Sequence, residues 1–135
     1  MRITVLAVGR LRAPFADDVS HYAKLLSRYC RLELVEVRED DQVPRRIPAG
    51  DYLSVLDAGG RAYASDGFAR WLEERRRSGR DLCFVVGGPY GTRLDRSDHA
   101  LSFGPMTLPH QLARVVLLEQ VYRGHKILAG EPYHH

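Results

Sequence analysis

The chain has 135 residues and a mass of 15.3 kDa, which is short for two ordinary domains but enough to bury a core without disulfide or metal staples. Apolar residues make up 44% of the chain and charged residues 27%, a balance that excludes an intrinsically disordered protein. The net charge of +3 is modest and does not separate a nucleic-acid-binding protein from an ordinary basic one. We therefore expect one globular domain over residues 1–135.

The basic residues are unusual in kind, because 18 of the 20 are arginine and only Lys24 and Lys126 are lysine. The planar guanidinium group suits phosphate, so RNA is a reasonable partner, although a GC-rich genome also favours arginine. Cys30 and Cys83 fall within apolar patterns and lack metal-ligand spacing. There is no signal-peptide pattern and no apolar run near the roughly 18 residues that span a bilayer. We expect a cytoplasmic protein that binds neither metal nor membrane.

The first half of the chain is predicted to contain a strand, a helix, a second strand and a loop. Residues 2–9 are an almost continuous apolar run closed by glycine, typical of a strand buried on both faces of a parallel sheet. Pro14 opens a helix at a favoured position. One face of that helix carries residues at spacings of three and four, namely Phe15, Val19, Tyr22, Leu26, Tyr29 and Cys30. A strand is predicted over residues 32–37, and the proline-containing segment 38–50, without helical period, is predicted to be a loop.

The second half continues this alternation. A third strand over residues 52–57 is predicted to break at a turn over residues 58–60. Ser65 is the predicted N-cap of a helix that ends in three arginines, residues 75–77, for which we prefer a solvated helix end to an RNA contact. The remaining predicted elements are a strand over 82–86, a short helix over 93–100, a strand over 101–106 and a final helix over 109–124. Strands alternating with helices predict an α/β domain with a largely parallel sheet of about five strands.

Two loops follow predicted strands, and ligands of parallel α/β sheets collect at such places. The turn Gly87–Gly91 lacks the spacing of a dinucleotide fingerprint and the lysine of a phosphate loop, and a simple turn is the commoner meaning of such a segment. Asp57 either binds a ligand or begins the turn that follows it. The loop Gly104–Pro109 places Met106 and Leu108 among residues with restricted backbones, which suits an adenine ring and a sulfonium chain better than a polyphosphate. The alternative is a tight connection with two core side chains.

The final predicted helix has charged residues within an apolar face, whose members are Leu112, Val115, Val116, Glu119, Tyr122 and Arg123. Glu119 and Arg123 either form a simple i,i+4 ion pair or lie at the edge of a surface that packs on another protomer, which we favour. The tail Tyr133-His134-His135 is a weak metal motif, and His135 is also consistent with a truncated purification tag. Tyrosine and histidine there can stack on a base and move a proton.

Several segments together resemble the ribosomal large-subunit RNA methyltransferase H family, which belongs to the SPOUT class. They are Gly87-Gly88-Pro89-x-Gly91, Thr107-Leu108-Pro109-His110, Leu117-Leu118-Glu119-Gln120-Val121-Tyr122-Arg123 and Pro132-Tyr133-His134, with Val5-Leu6-Ala7-Val8-Gly9 and Tyr22-Ala23-Lys24 also similar. The resemblance covers nearly the whole chain. It implies an α/β knot fold, in which the C-terminal segment forms a trefoil knot, and an obligate homodimer.

The resemblance also implies that S-adenosylmethionine methylates N3 of a pseudouridine in 23S ribosomal RNA of the assembled ribosome. Carried over by position, the cofactor contacts fall on Leu56, Gly88, Gly104, Pro105, Met106, Thr107, Leu108 and Pro109. His110 and Arg123 are the implied substrate-binding residues. Tyr133 and His134 are the implied catalytic residues, for base stacking and proton removal on the partner protomer's cofactor, with solvent as an alternative base.

Two departures from the family pattern affect these expectations. Between the second and third strands about twenty residues that relatives use for an extra helix are missing, and the chain ends in His135 where relatives commonly have arginine or lysine. We therefore expect differences in the dimer edge or in ribosome docking, and a weaker phosphate contact from the tail. Two other functions remain open, a non-catalytic RNA-binding dimer and a flavodoxin-like nucleotide-binding domain.

Overall fold

The computed structural model describes residues 1–87 and 94–133, which are built around a five-stranded sheet. The strands are β1 (Arg2–Val8), β2 (Arg31–Val37), β3 (Tyr52–Ala62), β4 (Leu82–Val86) and β5 (His99–Ser102). Their order across the sheet is β2-β1-β4-β3-β5, and each neighbouring pair is parallel. The predicted α/β architecture with about five parallel strands is confirmed. The trefoil knot stays a prediction.

The helices of the described residues cover both faces of this sheet. They are α1 (Phe15–Leu26), α2 (Val43–Arg46), α3 (Ser65–Arg77) and α4 (His110–Leu128). Side chains of α1, α3 and α4 share one apolar core with one face of the sheet. On the other face, Val43 of α2 belongs to a second, smaller core.

The residues of β1 divide alternately between these two cores. Ile3, Val5 and Ala7 pack in the larger core, and Leu6 and Val8 pack in the smaller one. Because successive side chains of a strand point to opposite faces, a strand covered on both sides needs apolar residues at nearly every position. This is the reason why the sequence of β1 is an uninterrupted apolar run.

The predicted turn over residues 58–60 is wrong, because β3 continues through it as one irregular strand. On both sides of the irregularity the strand pairs with Leu101 of β5. Gly60 permits this path, since a Cβ atom there would lie 2.6 Å from backbone atoms of Ala100. The two strands thus approach more closely than any side chain at this position would allow.

The predicted helix over residues 93–100 is wrong for residues 94–100, which the structure describes. Residues 99 and 100 belong to β5, and residues 94–98 are not helical. Asp98 holds this segment against β3. Its N–H donates to the carbonyl of Leu53 at 2.9 Å, and its carboxylate accepts from the N–H of Leu53 at 2.8 Å. The fifth strand therefore begins earlier than predicted, and it ends at Ser102 instead of residue 106.

The predicted loop over residues 38–50 contains two short helical segments, a 3₁₀ turn at Asp40–Gln42 and the helix α2. The side chain of Gln42 accepts hydrogen bonds from the N–H groups of Arg38 and Glu39 at 2.9 Å, which fixes the start of this turn. Val43 is fully buried. A helix of four residues is too short to give a periodic pattern, so the prediction had no signal to use.

The ends of the two long C-terminal helices also differ from the prediction. The N-cap of α3 is Ala64, and the hydroxyl of Ser65 instead donates to Gln120 of α4 at 2.9 Å. The final helix continues past Gly124, which is buried inside it and faces Leu72 of α3. A Cβ atom on Gly124 would lie 2.7 Å from the Leu72 Cδ1 atom, so the glycine lets the two helices pack closely.

The three arginines at the end of α3 form a partly solvated helix end, which is the interpretation that we preferred to an RNA contact. Arg76 and Arg77 both pair with Glu73 and keep 59% and 77% of their side chains exposed. The guanidinium of Arg75 instead lies 4.2 Å from the ring centroid of Tyr52. All three contacts are within the chain, and none of them requires RNA.

Burial accounts for the chemistry of both cysteines. Cys83 is fully buried in β4, and burial raises the pKa of its thiol to about 12. Cys30 is partly buried, and the same cause raises the pKa of its thiol to about 11. Both thiols are free. None of the helices described is both long and apolar enough to cross a membrane.

Candidate functional site

The carboxyl ends of β3, β4 and β5 meet at one edge of the sheet, as the parallel order requires. Leu56 of β3 is partly buried and pairs with Leu101 of β5. Gly87 follows β4 directly, and Gly88, the predicted cofactor contact after it, lies outside the described residues together with the rest of that turn. The structure thus brings the strand ends of the predicted site together.

The loop Gly104–Pro109 leaves β5 at this edge and is held at its first residue. The N–H of Gly104 donates to the hydroxyl oxygen of Ser102 at 3.0 Å, and that hydroxyl lies 2.9 Å from the carbonyl of Ala58 on β3. Gly104 has a φ of +114°, yet a Cβ atom there would meet nothing within 4 Å. The backbone conformation, and not a lack of space, therefore favours glycine here.

The middle of this loop faces outwards. Met106 is 81% exposed, and Pro105, Thr107 and Pro109 are exposed too. Leu108 alone of the predicted pair of core side chains packs against the larger core. The alternative prediction, a tight connection in which both Met106 and Leu108 are core side chains, is therefore wrong for Met106. In one protomer it is an apolar side chain with little cover.

A cavity of about 320 Å³ lies beside the start of this loop, between α3, α4 and β5. Of the predicted cofactor residues that the structure describes, Gly104 is the one that lines it. Aromatic rings of Tyr63, Phe68 and Phe103 form much of its wall, and Gln120 adds a polar amide. Sequence analysis did not find these lining residues, because they come from elements that only the folded chain brings together.

The wall residue Tyr63 is fixed from behind by a histidine. Its hydroxyl lies 2.9 Å from Nε2 of His99, whose Nδ1 lies 2.8 Å from the hydroxyl of Ser54. The His99 ring also stacks on Trp71, with centroids 4.6 Å apart. Burial, followed by the charges of nearby arginines, lowers the pKa of His99. A neutral histidine that uses both ring nitrogens thus holds one side of the cavity.

His110 begins α4 near the carboxyl end of β1. Its Cε1 atom lies 3.6 Å from the position of a Cβ atom built on Gly9. Its Nδ1 atom is buried and has no hydrogen-bond partner within residues 1–87 and 94–133. Burial lowers the pKa of His110, and the charges of Arg114 and Arg12 lower it further. The predicted substrate-binding histidine is therefore neutral near pH 7.

Arg114 is a buried residue that sequence analysis missed. It is 4% exposed, and its guanidinium donates to the carbonyls of Val8 and Gly9 at 2.8 and 2.6 Å and to the Glu36 carboxylate at 2.8 Å. These bonds join α4 to the ends of β1 and β2. The sequence does show an arginine about one turn after the predicted start of the helix. Its apolar neighbours in the sequence gave no indication that it binds the ends of two strands.

The second group of predicted residues lies towards the other end of α4. Arg123 Nε donates to the Glu119 carboxylate at 3.3 Å, and the Tyr133 hydroxyl donates to the same carboxylate. The Arg123 guanidinium lies 4.1 Å from the ring centroid of Tyr133. Burial raises the pKa of Tyr133, and the hydrogen bond that its hydroxyl donates to Glu119 raises it further. The tail thus folds back on α4 and keeps this phenol protonated.

Glu131 fixes the course of the tail before Tyr133. Its carboxylate accepts from the Tyr29 hydroxyl at 3.0 Å and from the Lys126 ammonium at 3.1 Å. His134 and His135 lie outside the described residues. The structure thus shows the contacts of Tyr133 with Arg123 and Glu119, and the roles of Tyr133, Arg123 and His134 stay predictions.

The predicted substrate-binding residues do not converge within one protomer. His110 and Arg123 are thirteen residues apart on α4, which corresponds to about 20 Å along a helix axis. Metal binding has no geometric basis in the described part of the chain, where no group of three or more histidine, cysteine or acidic residues could hold an ion.

Comparison with known proteins gives a match over almost the whole chain. Residues 1–134 match a family described as "Predicted SPOUT methyltransferase". A protein from Acetivibrio thermocellus named "Ribosomal RNA large subunit methyltransferase H" is 40% identical over 158 aligned positions, covering 99% of each chain. Proteins of the same name from Rubrobacter xylanophilus and Gemmatimonas aurantiaca are 45% and 37% identical, covering 98% and 99% of each chain.

The aligned length agrees with a shortened connection in this chain, since 158 positions exceed its 135 residues. In the structure β2 and β3 are joined only by the short helical segments of residues 38–51. The family match also removes the basis for a flavodoxin-like domain. With the parallel sheet and the loops at its carboxyl edge, the match shows that this chain belongs to the SPOUT methyltransferase family.

Proposed function

We propose that this protein transfers a methyl group from S-adenosylmethionine to N3 of a pseudouridine in 23S ribosomal RNA of the assembled ribosome. The observation that carries the proposal is the near full-length identity with relatives named as ribosomal RNA large subunit methyltransferase H. The carboxyl edge supports it, because the strands that precede the segments of the family signature end there.

The cofactor would bind at the edge formed by Leu56, the turn after Gly87 and the loop Gly104–Pro109. The residues fit such a ligand. The cavity of about 320 Å³ beside Gly104 is at the lower end of the range for small-molecule sites. Its aromatic wall suits an adenine ring, and Gly104 lets backbone groups approach a ligand without a side chain between them.

The bound cofactor supplies an electrophilic methyl group on a sulfonium ion. The task of the protein is then to hold the base in line with that methyl group and to accept the N3 proton. Arg123 carries a positive charge and stacks on Tyr133, so this pair is suited to orienting the RNA. Since the raised pKa of Tyr133 keeps its phenol protonated, we assign stacking to Tyr133 and proton removal to His134.

A homodimer would complete this site. His110 and Arg123 of one α4 are too far apart to contact one base, but two helices packed together can bring one residue from each protomer to the same place. The exposed apolar side chains support such packing, since Ile127 and Leu128 near the end of α4 are 39% and 38% exposed. In this arrangement the tail of one protomer acts on the cofactor of the other.

The activity is tested with S-adenosylmethionine that carries a labelled methyl group. The protein is incubated with ribosomes, and separately with free 23S RNA, from a strain that lacks this methylation. We expect label at one pseudouridine of 23S RNA in ribosomes. Binding of ribosomes without label transfer would instead support the non-catalytic RNA-binding dimer.

The cofactor site is tested with a matched pair of glycine variants. Gly104 and Gly79 both have positive φ angles, of +114° and +78°, with nothing within 4 Å of an added Cβ atom. Alanine costs about 1 kcal/mol of strain at such positions, so both variants should lose similar stability. Only Gly104→Ala should weaken S-adenosylmethionine binding in calorimetry. Equal affinities for the two variants would remove Gly104 from the site.

A further inference from the structure

The arginines of the described residues differ in whether a carboxylate neutralises them. Most of those around the amino ends of the strands and on α3 have acidic partners within 4.0 Å, and they are Arg2, Arg31, Arg70, Arg75, Arg76, Arg77, Arg80 and Arg96. Arg10 and Arg12, which follow the carboxyl end of β1, form no ion pair with any described carboxylate, and neither does Arg38, which follows β2. Among the described residues Arg28, Arg45, Arg46 and Arg61 also form no ion pair. Arg10 and Arg12 differ from these because they lie on a segment that is fixed beside the candidate site.

Residues 10–12 present their two arginines on the outside. Leu11 is partly buried and packs against the larger core, whereas Arg10 and Arg12 on either side of it are exposed. The inward leucine thus directs both neighbouring side chains towards solvent. Each can move freely enough to meet a ligand, yet both start from a fixed piece of backbone.

The backbone of this segment is fixed by side chains of other elements. The N–H of Leu11 donates to the Glu36 carboxylate at 2.7 Å, and the N–H of Arg12 donates to the Gln111 side chain at 2.8 Å. The Gln111 amide in turn donates to the carbonyl of Arg10 at 3.1 Å. A loop held in this way has already lost most of its backbone entropy, so a ligand that binds it meets a smaller entropic penalty.

The segment also lies next to the start of α4. Gln111, which holds it, follows His110 directly, and the charge of Arg12 is among the causes that lower the pKa of His110. The acidic side chains nearest in sequence are Asp17 and Asp18 of α1, and the carboxylate that contacts the segment is that of Glu36. The first two form no ion pair with Arg12, and the third is already used by Arg114 and Leu11.

We propose that Arg10 and Arg12 form a clamp for the phosphate backbone of the RNA substrate, beside the site and separate from the residues that contact cofactor or base. That this RNA is 23S ribosomal RNA rests on the proposed function. Two guanidinium groups without acidic partners on a rigid loop suit phosphates, to which arginine donates two parallel hydrogen bonds. Such contacts position a nucleic acid without reading its sequence.

The test compares the variant Arg10→Gln/Arg12→Gln with wild type as dimers on ribosomes that lack the methylation. We expect the apparent Kd and KM for ribosomes to rise about tenfold or more, while kcat and the Kd for S-adenosylmethionine stay within about twofold. Between about 50 and 200 mM salt, the slope of log K against log salt should fall by roughly 1.4 to 1.8, since each lost phosphate contact removes about 0.7 to 0.9. The variant Arg10→Lys/Arg12→Lys should keep most of the affinity.

A control variant, Arg70→Gln/Arg77→Gln, removes the same charge from exposed positions of α3. It should leave the affinity for ribosomes within about twofold of wild type.

The proposal is overturned if both glutamine variants lose affinity equally, or if the Arg10/Arg12 variant keeps its salt slope. A third result is that the Arg10→Gln/Arg12→Gln variant binds free 23S RNA as wild type does but binds ribosomes weakly. That result would indicate a ribosomal protein as the partner, and it would also overturn the proposal. Ribosome binding can be measured whether or not the wild type transfers methyl groups, so this result is independent of the proposed function.

Discussion

The two edges of the sheet use arginine in opposite ways. At the amino edge, Arg2 donates to the Asp51 carboxylate at 2.6 Å, and the guanidinium groups of Arg80 and Arg96 donate to the Asp51 carbonyl at 3.1 and 3.0 Å. At the carboxyl edge, Arg114 is the only arginine within residues 1–87 and 94–133 that is buried in such bonds. The partners of an arginine, more than its presence, therefore separate a structural role from the ligand-binding role that we propose for Arg10 and Arg12.

Burial at the amino edge limits what its ion pairs contribute. Asp51 is 2% exposed, and burial is the largest cause that raises its pKa, against the charge and hydrogen bond of Arg2, which lower it. The cost of removing this carboxylate from water thus offsets much of the gain from its partner. The network fixes where the strands begin, but it is a weak source of net stability.

The largest stability effect is expected from the buried arginine of the carboxyl edge. Arg114→Met leaves the carbonyls of Val8 and Gly9 without donors, and we expect the free energy of unfolding to fall by about 3 kcal/mol. Urea titration of both proteins measures this loss. Arg114→Lys, which keeps the charge but not the forked geometry, should recover only part of it. A loss below about 1 kcal/mol for Arg114→Met would mean that the two edges do not differ as described.

A large effect on catalysis is expected from the tail. If His134 takes the N3 proton, His134→Ala should lower kcat for methyl transfer about 100-fold, with little change in stability. Tyr133→Phe keeps the ring beside Arg123 and loses only the hydroxyl that donates to Glu119, so its kcat should fall less than about tenfold. Single-turnover assays on ribosomes distinguish the two. The reverse ranking would make Tyr133 the proton acceptor.

An intermediate effect, confined to stability, is expected at the amino edge. Arg80→Gln loses hydrogen bonds to the carbonyls of Gly50 and Asp51, and we expect a cost of about 1 kcal/mol in the free energy of unfolding. Methyl transfer at a temperature where the variant is folded should equal that of wild type. A specific loss of ribosome affinity would extend RNA binding to the amino edge.

The smallest effect concerns the pH dependence at the carboxyl edge. Since the pKa of His110 is lowered in the folded state, the unfolded chain binds more protons as the pH falls below about 6.5, and the stability contributed by neutral His110 is lost over that range. In Arg12→Gln the pKa of His110 should move back towards its ordinary value, as followed by NMR titration of the ring. No movement would show that Arg12 does not act on His110.

Sequence patterns predicted those parts of the fold in which burial alone decides the structure. β1 and β4 are covered on both faces, so their apolar runs were clear, and the large apolar faces of α1 and α3 were equally clear. β3 was cut short because Gly59 and Gly60 favour a turn locally, whereas the close contact with Ala100 stabilises a strand. That contact joins segments far apart in the chain, and no local pattern reports it.

The candidate site was predictable only in part, for a related reason. Gly104 and the strand ends were found because glycine and strand length are local signals. The cavity wall, Arg114 and the clamp around residues 10–12 depend on pairs such as Gln111 with Arg12, which lie 99 positions apart. The resemblance to a family supplied the residues of the tail, which spacing alone left as one of several possibilities.

The glycine between α3 and α4 lies close to the wall of the cavity. Gly124 lies one turn beyond the wall residue Gln120, and the α3 residue closest to its backbone, Ala69, adjoins the wall residue Phe68. A Cβ atom at position 124 would lie 2.7 Å from Leu72 Cδ1, so a larger residue there would have to displace the end of that side chain. The packing of α3 on α4 beside the cavity therefore depends on a glycine that is not among the residues lining it.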